Sequence, residues 1–216
     1  MKAAAEIPRQ GLVGQMVVLS APSGTGKTTV AQGLVDGVEG LKRSVSYTTR
    51  PRRAGEEEGV HYHFIRKDEF EAMAARGEFL EWAQIYGELY GTGAAATRRV
   101  LEQGMDLLLV IDVQGARWVR RRAPEALFVF LLPPSHEALL RRLRRRGTES
   151  TGTEAQRLAA AREEILAWKE YDYIIVNDDL KATHRAAEAV IRAGRQSRRR
   201  MELQAGRVIA TFPPPS

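Results

Sequence analysis

The sequence predicts an α/β protein in which helices cover both faces of a central parallel sheet. Three observations predict it: short apolar runs alternate with helical patterns, a glycine-rich turn follows the first run, and one stretch interrupts the alternation. That stretch, residues 44–93, is interpreted as an inserted small mixed α/β subdomain. Residues 15–43 and 94–195 are assigned to the core domain, 1–14 to a flexible N-terminal extension and 196–216 to a basic, Pro-rich C-terminal tail.

The elements of the core domain follow from hydrophobic periodicity. Runs of consecutive apolar residues between turn signals predict strands, and apolar residues that recur every three or four positions predict helices. The predicted strands are 16–19, 106–111, 127–132 and 173–176, and the predicted helices are 28–38, 94–103, 115–122, 135–146, 154–169 and 181–195. Because helices connect the strands, the sheet is predicted to be parallel.

Two regions depart from this alternation. The insertion is predicted to hold short strands at 44–47, 61–65 and 79–86 around one helix at 67–76. Two helices flank the polar loop 148–153, and residues from about 142 to 158 are predicted to form a mobile helical lid. The N-terminal extension and the C-terminal tail are expected to be partly disordered.

Composition limits the class of protein and the kinds of site. The chain has 216 residues, 44% hydrophobic content and a net charge of +6, which is typical of one main globular domain. No apolar run approaches the roughly 18 residues of a membrane span, and the first eight residues lack a signal-peptide core, so we expect a cytoplasmic protein. The absence of cysteine excludes disulfides, thiol catalysis and cysteine-ligated zinc, and the four histidines have no metal-ligand spacing.

The turn after the first predicted strand carries the strongest functional signal. It reads Ser20-Ala21-Pro22-Ser23-Gly24-Thr25-Gly26-Lys27-Thr28-Thr29 and opens the first predicted helix. Gly24 and Gly26 allow successive N–H groups to surround phosphate oxygens at the positive end of that helix. Lys27 is expected to reach the β- and γ-phosphates, and Thr28 is expected to place its hydroxyl on Mg²⁺. Although Ala21 replaces the first glycine of the motif, we expect residues 21–29 to bind a nucleoside triphosphate.

A second phosphate site is predicted at the start of the insertion. The segment reads Ser46-Tyr47-Thr48-Thr49-Arg50-Pro51-Arg52-Arg53-Ala54-Gly55-Glu56. Guanidinium groups pair with phosphate through two parallel hydrogen bonds. A run of arginines usually marks a solvated face, but the hydroxyls, the proline and the glycine favour a shaped loop that clamps a phosphate.

Further motifs accompany these two sites. They are His61-Tyr62-His63-Phe64, Phe79-Leu80-Glu81-Trp82-Ala83, Tyr90-Gly91-Thr92, Asp112-Val113-Gln114-Gly115, Arg146-Gly147-Thr148-Glu149 and Val176-Asn177-Asp178-Asp179. Together with the two sites, they make the chain resemble the guanylate kinases over roughly residues 15–195. The resemblance implies a three-layer P-loop sandwich with a GMP-binding insertion, in which Mg²⁺ assists transfer of the γ-phosphoryl group of ATP to GMP, giving ADP and GDP.

The resemblance also assigns the residues that bind the acceptor, namely Ser46, Arg50, Arg53, Tyr62, Glu81, Tyr90, Thr92 and Asp112. The serine, the arginines and Tyr62 are assigned to the 5′-phosphate of GMP, with Tyr90 assisting, and Glu81 and Thr92 are assigned to the guanine. A carboxylate suits guanine because N1–H and the exocyclic amino group are adjacent donors, whereas N1 of adenine is an acceptor.

Asp112 follows a predicted parallel strand at its carboxyl end, where ligands of open α/β sheets bind. In the family this acid lies near nucleotide and metal, so Asp112 is expected to position Mg²⁺ together with Thr28. Val110 departs from the family pattern, which commonly has an acid at that position. The departure removes one carboxylate from the expected acceptor pocket.

The resemblance assigns catalysis to Lys27 and to three lid arginines, Arg142, Arg146 and Arg157. Arginines that contact a transferred phosphoryl group raise the rate of transfer by about 10³- to 10⁵-fold. Asn177 follows the last predicted strand and is expected near the ATP adenine or the lid hinge, with a structural turn as the alternative.

Three other functions stay open: a non-catalytic guanylate kinase-like module that binds proteins, a related kinase for a small phosphate ester, and a nucleic-acid binder. The intact phosphate loop argues against the first. Glu81 with Thr92 argues against an acceptor without a base, and the scarcity of aromatic residues among the basic clusters argues against nucleic acid. We expect GMP and ATP as ligands, without nucleic acid or membrane, and the sequence leaves monomer and homodimer open.

Overall fold

A computed structural model of the chain describes residues 14–85, 87–145 and 154–213, without the side chains of residues 145, 154–157 and 160. The strands are β1 (Met16–Ser20), β2 (Leu41–Arg43), β3 (Ser46–Thr48), β4 (Tyr62–Phe64), β5 (Phe79–Ile85), β6 (Glu88–Gly93), β7 (Asp106–Val110), β8 (Leu127–Leu132) and β9 (Tyr173–Val176). The helices are α1 (Lys27–Gly37), α2 (Lys67–Ala75), α3 (Ala94–Glu102), α4 (Val113–Arg122), α5 (His136–Arg145), α6 (Glu154–Leu166), α7 (Leu180–Arg195) and α8 (Arg198–Ile209), and a 3₁₀ turn covers Ala167–Glu170. Within the described residues, no helix combines the length and apolar character that crossing a membrane requires.

The core domain is built around β1, the middle strand of a five-stranded sheet with the order β2-β7-β1-β8-β9. All pairs in this sheet are parallel. Every residue of β1 is buried, because Val17 and Leu19 face the layer of α1 and α7 while Met16 and Val18 face the layer of α3 and α4. The predicted three-layer α/β fold with a central parallel sheet is therefore confirmed.

A second sheet is formed by residues between Ser46 and Gly93, with the strand order β4-β3-β6-β5. It is mixed, since β3 and β4 are parallel while β6 runs antiparallel to both of its neighbours. One face packs on α2 through Phe70, Phe79 and Leu89. This packing leaves the opposite face for a ligand.

Two strands lie outside the sequence prediction. β2 has only three residues, too few for a periodic pattern. Where the sequence predicts a single strand, 79–86, the structure has a hairpin of β5 and β6 with Gly87 at φ 89° in its turn. Glycines weaken the strand signal of β6, yet Gly91 is needed there, because a Cβ at this position would lie 2.9 Å from Phe79 Cδ1.

In the C-terminal tail, where the sequence predicts partial disorder, most of the described part is the helix α8. Arginine, methionine, glutamate, leucine, glutamine and alanine, which favour helix, make up much of it. None of its residues is buried, so this helix adds nothing to the apolar core. Two long ion pairs connect it to the core, Arg200 to Asp106 at 3.8 Å and Arg199 to Glu125 at 3.9 Å. Residues 1–13 of the N-terminal extension lie outside the described residues.

Candidate active site

The phosphate loop connects the end of β1 to the start of α1. Gly24 and Gly26 adopt left-handed conformations with φ of 84° and 98°, which a Cβ atom disfavours. Their surroundings also exclude a side chain, since a Cβ on Gly24 would lie 2.8 Å from Leu143 Cδ2 and one on Gly26 would lie 2.8 Å from Asn177 Nδ2. Because α1 begins at Lys27, the first N–H groups of α1 lack partners within the helix and suit an anion.

Two side chains from later in the chain support this loop from behind. Asn177 Nδ2 donates to the Thr25 carbonyl at 2.7 Å, and Thr183 Oγ1 donates to Asn177 Oδ1 at 3.1 Å. Arg142 spans the same region, since its Nη1 donates to the Thr25 carbonyl at 3.1 Å and its Nη2 to the Asn177 carbonyl at 2.9 Å. The structure therefore places Asn177 and Arg142 against the backbone of the phosphate loop.

Lys27 and Asp112 lie close together at the carboxyl ends of the neighbouring strands β1 and β7. Lys27 Nζ donates to the carbonyl of Ile111, the residue before Asp112, at 3.0 Å. Asp112 caps α4, and its Oδ1 accepts the Gly115 N–H at 2.8 Å. An ammonium group and an oriented carboxylate thus flank the same edge of the sheet.

The oxygen atoms at this edge fit Mg²⁺. Thr28 is exposed in the first turn of α1, and Asp112 is half-buried. Mg²⁺ is usually bound by one or two protein oxygens together with waters and substrate phosphates. Among the described residues, no group of three or more His, Cys, Asp or Glu side chains forms a cage for a metal. The Thr28 hydroxyl and the Asp112 carboxylate therefore suit an ion that arrives with a nucleotide.

One face of the second sheet gathers the residues that are predicted to bind the acceptor. The cross-strand pairs are Ser46–Tyr62, Thr48–Tyr90 and Glu81–Thr92. Directly paired residues share a face, and so do residues two apart along a regular strand. Ser46, Tyr62, Tyr90, Thr92 and Glu81 consequently lie on the face opposite α2.

Glu81 reaches that face because β5 is irregular. Phe79 pairs with Gly93 while Glu81 pairs with Thr92, so that Leu80 is an extra residue in the ladder. In a regular strand, Phe79 and Glu81 would point to the same face. The irregularity lets Phe79 pack with α2 while Glu81 points to the acceptor face.

Glu81 is a buried carboxyl group with one close donor. Glu81 is 4% exposed, and Thr92 Oγ1 donates a hydrogen bond to its Oε1 at 2.6 Å. Burial raises the pKa of Glu81 to about 7, with the Thr92 hydrogen bond acting against this and the Asp112 charge adding to it. A Cβ on Gly115 would lie 2.5 Å from Glu81 Oε2 and 3.2 Å from Asp112 Oδ1. Glu81 of the insertion and Asp112 of the core thus approach the same turn of α4.

Arg50 is fixed on the acceptor face by Glu56. Arg50 Nη2 donates to Glu56 Oε1 at 2.7 Å, and the Arg53 N–H donates to Glu56 Oε2 at 2.8 Å. The Arg50 Cζ atom lies 5.5 Å from the ring centre of Tyr62. Burial raises the pKa of Glu56, but the Arg50 hydrogen bond and the Arg53 N–H outweigh burial and lower it overall. The side chain of Arg53 itself is exposed.

Comparison with known proteins identifies the family. The sequence model of the guanylate kinase family matches residues 13–194. The chain belongs to the guanylate kinase family. Guanylate kinases from Alkalilimnicola ehrlichii and Syntrophotalea carbinolica are 48% and 46% identical to it, over 88% and 90% of this chain and 93% of each relative. The crystal structure of guanylate kinase from Anaplasma phagocytophilum superimposes with a TM-score of 0.74 at 36% identity, covering 88% of this chain and 90% of that one.

The resemblance to guanylate kinases that the motifs indicate is therefore confirmed. The structure brings the phosphate loop, Lys27, Thr28 and Asp112 to one edge of the core sheet. Of the residues predicted to bind the acceptor, it brings Ser46, Tyr62, Glu81, Tyr90 and Thr92 to one face of the second sheet. Arg146 lies outside the described residues. Arg157 belongs to α6, but its side chain also lies outside what is described.

Val110, where guanylate kinases commonly have an acid, packs beside the apolar cluster of α1 and α7. Two residues of the site were not assigned a part from the sequence, namely Glu56 and Gly115. Glu56 ends the arginine segment, and an acid among arginines is a signal of an orienting ion pair. Gly115 carries no such signal, because its importance depends on the approach of Glu81 from another subdomain.

Proposed function

We propose that the protein transfers the γ-phosphoryl group of ATP to GMP, giving ADP and GDP. The observation that carries this proposal is the meeting of two binding sites at one edge of the core sheet. The phosphate loop reaches that edge at Lys27, whose ammonium group donates a hydrogen bond to the Ile111 carbonyl. The acceptor face extends to it through Glu81, which approaches Gly115 beside Asp112. Holding two reacting groups in one cleft accounts for a large part of the rate of such a transfer.

On the donor side, residues 21–29 hold the phosphates of ATP. The N–H groups of the loop and of the start of α1 donate to phosphate oxygens, and Lys27 neutralises charge on the β- and γ-phosphates. Thr28 and Asp112 are the residues that would hold Mg²⁺, which would neutralise negative charge on the phosphates. Asn177 supports the loop through the Thr25 carbonyl.

On the acceptor side, the phosphate of GMP is held by a set of hydroxyl and guanidinium groups that comprises Ser46, Arg50, Arg53, Tyr62 and Tyr90. Glu81 in its ionised form accepts hydrogen bonds from guanine N1–H and the exocyclic amino group. Thr92 is a hydroxyl donor at the same position, within 2.6 Å of Glu81. Adenine presents an acceptor where guanine presents N1–H, so this pair disfavours AMP.

The transfer needs charge stabilisation more than proton transfer. The acceptor phosphate oxygen is anionic at neutral pH, so no general base is required. Lys27, Arg142, Arg146 and Arg157 are the cations assigned to the developing charge on the transferred group. Arg142 also donates a hydrogen bond to the Thr25 carbonyl of the loop, so it helps to position ATP as well.

We further propose that the protein acts in the cytoplasm, in the recycling of GMP within purine nucleotide metabolism. ATP and GMP are its small-molecule ligands, and neither nucleic acid nor a membrane is part of the proposal.

A panel of nucleoside monophosphates with ATP and Mg²⁺, monitored by coupled ADP release, tests the proposal. The kcat/KM for GMP is expected to exceed that for AMP by at least about tenfold, because binding AMP would leave a buried polar group of the site without a hydrogen bond. Lys27→Ala is expected to reduce turnover by at least about 10³-fold, whereas the exposed Lys42→Ala is its control. No GMP-dependent ADP release from the wild-type protein would favour the non-catalytic binding module instead.

A further inference from the structure

Glu164 is an ionisable residue at the phosphate loop to which the reaction above assigns no part. It lies on α6 and is half-buried. Its Oε2 accepts a hydrogen bond from the backbone N–H of Ser23 at 3.0 Å. A carboxylate beside a loop that binds phosphates repels the phosphates of ATP. A favourable role elsewhere in the site is therefore needed to explain why Glu164 lies there.

The packing of α6 explains how Glu164 reaches the loop. Leu139 and Leu143 of α5 form an apolar cluster with Ala161 of α6, and Leu158 and Ile165 pack against that cluster. Leu143 also borders the loop, since its Cδ2 lies 2.8 Å from the position of a Cβ on Gly24. The loop therefore contacts α5 through apolar packing and the Arg142 hydrogen bond, and it contacts α6 through the carboxylate of Glu164.

The charges around Glu164 belong to the same cleft. Burial raises the pKa of its carboxyl group, the Ser23 N–H and the positive charge of Lys27 lower it, and the negative charge of Asp112 raises it further. The hydrogen bond from Ser23 places the carboxylate at the phosphate loop, where the donor phosphates are expected. A hydrogen bond from a backbone N–H to a carboxylate is stronger than one between neutral groups.

We propose that Glu164 is a positioning residue that joins the helix α6 to the phosphate loop. By holding the Ser23 N–H, it fixes the loop in the shape that receives the donor phosphates, and it transmits the presence of the donor to α6. This inference rests on the proposed function for its substrate, but the contact itself involves only the donor half of the site.

Two full-length variants at Glu164 separate the hydrogen bond from the charge. Glu164→Ala removes both, and Glu164→Gln removes the charge but keeps a carbonyl oxygen that accepts the Ser23 N–H. The matched control is Glu163→Ala, because Glu163 is the exposed neighbour on the same helix. Wild-type turnover with ATP and GMP is measured first, since its absence would refute the proposed function and not the role of Glu164.

Steady-state kinetics and ADP titration calorimetry without GMP then report on the donor site. Glu164→Ala is expected to raise the KM for ATP and the Kd for ADP by about tenfold, the factor for one lost charge-assisted hydrogen bond. Its KM for GMP is expected to stay within about twofold, and Glu164→Gln to recover the ADP affinity to within about threefold of wild type. An unchanged ADP affinity in Glu164→Ala would overturn the proposal, as would a Glu164→Gln variant as weak as the alanine variant or an equal rise in both KM values.

Hydrogen exchange supplies a readout that a merely structural role would not change. In the wild-type protein, ADP is expected to slow amide exchange in both α5 and α6. In Glu164→Ala, the protection of α5 is expected to remain, because its apolar contact with the loop is intact, while the protection of residues 158–166 falls severalfold. Full ADP-induced protection of α6 in Glu164→Ala would show that the carboxylate does not couple the helix to the loop.

Discussion

Asn177 donates a hydrogen bond of 2.7 Å from its Nδ2 atom to the carbonyl of Thr25, and this bond joins the end of β9 to the middle of the phosphate loop. The amide is buried and is itself oriented by Thr183, whose hydroxyl donates to Asn177 Oδ1. The shape of the loop therefore depends on a residue more than a hundred positions later, as well as on its glycines.

Replacement of Asn177 by alanine leaves the Thr25 carbonyl with less support. The free energy of unfolding is expected to fall by about 1–3 kcal/mol, the cost of leaving buried polar groups unpaired, and the KM for ATP is expected to rise severalfold. Chemical denaturation and steady-state kinetics measure the two effects. The exposed neighbour Asp178→Ala is the control, and equal behaviour of the two variants would contradict the role of the Thr25 contact.

The affinity for GMP is expected to depend on the ionisation of Glu81. Its pKa is raised to about 7, so the carboxyl group is largely protonated at pH 6 and largely ionised at pH 8. Since the ionised form accepts from guanine, the KM for GMP is expected to fall about tenfold over this range. The KM for ATP serves as an internal reference. In Glu81→Gln, the remaining pH dependence is expected to reflect only the phosphate of GMP, and an unaltered profile would contradict the assignment.

Ionisation of Glu81 is expected to strengthen GMP binding but to lower the free energy of unfolding. The folded pKa of Glu81 lies above its ordinary value of 4.5, so its protonated form is favoured in the folded protein. Its contribution to the free energy of unfolding is fully present below pH 4.5 and is lost as the pH rises through about 7. Denaturation of the wild type against Glu81→Gln across this range should therefore show the variant gaining relative stability as the pH rises.

Gly115 is expected to decide how well Glu81 is placed. A Cβ at residue 115 would lie 2.5 Å from Glu81 Oε2, so Gly115→Ala displaces the carboxylate. The KM for GMP is expected to rise about tenfold, as for other overpacked sites, and preference for GMP over IMP, which lacks the amino group, is expected to weaken. Gly37→Ala is the control, because nothing lies within 4 Å of its Cβ position. A KM for ATP that rises in parallel would point to general damage instead.

Glu56 is expected to orient the phosphate clamp. It accepts from Arg50 at 2.7 Å, and the two side chains are 17% and 10% exposed, respectively. In Glu56→Ala, Arg50 loses its carboxylate partner and the loop loses the contact with the Arg53 N–H, so the KM for GMP is expected to rise roughly fivefold. Glu57→Ala, an exposed neighbour, is the control for steady-state kinetics. If Glu56 instead competed with the phosphate for Arg50, the KM would fall.

Local patterns explain which parts of the fold and the site could be predicted. The phosphate loop was readable because Gly24, Gly26, Lys27 and Thr28 act within one turn of the chain, where spacing determines geometry. The parallel core sheet was readable because its buried strands are continuous apolar runs. By contrast, the roles of Glu81 and Thr92 came from the resemblance to guanylate kinases, since an acid on a strand has no pattern of its own.

The remaining features depend on contacts between distant segments. The irregularity at Leu80 reverses the direction of Glu81, and strand alternation alone would have put Phe79 and Glu81 on one face. Gly115 and Glu164 act through groups on other elements, so neither stands out in the chain. The helix α8 buries none of its residues, so no contact with the core requires it, and only its local helix propensity opposes the prediction of a partly disordered tail.

The strand β5 lies within the insertion, residues 44–93, but it also packs against the core domain. Leu80 joins the apolar cluster of α3 and α4, and Arg122 of α4 donates to the Leu80 carbonyl at 2.7 Å. The proposed acceptor site is therefore held by two separate parts of the structure. Glu81, which we propose binds the base, follows a residue that packs on the core helix α4, and Arg50, which we propose binds the phosphate, lies in the loop after β3. Under this proposal, substitutions at the α4 residues that contact β5 are expected to alter the choice of purine, and substitutions in the arginine loop are expected to alter the affinity for any nucleoside monophosphate.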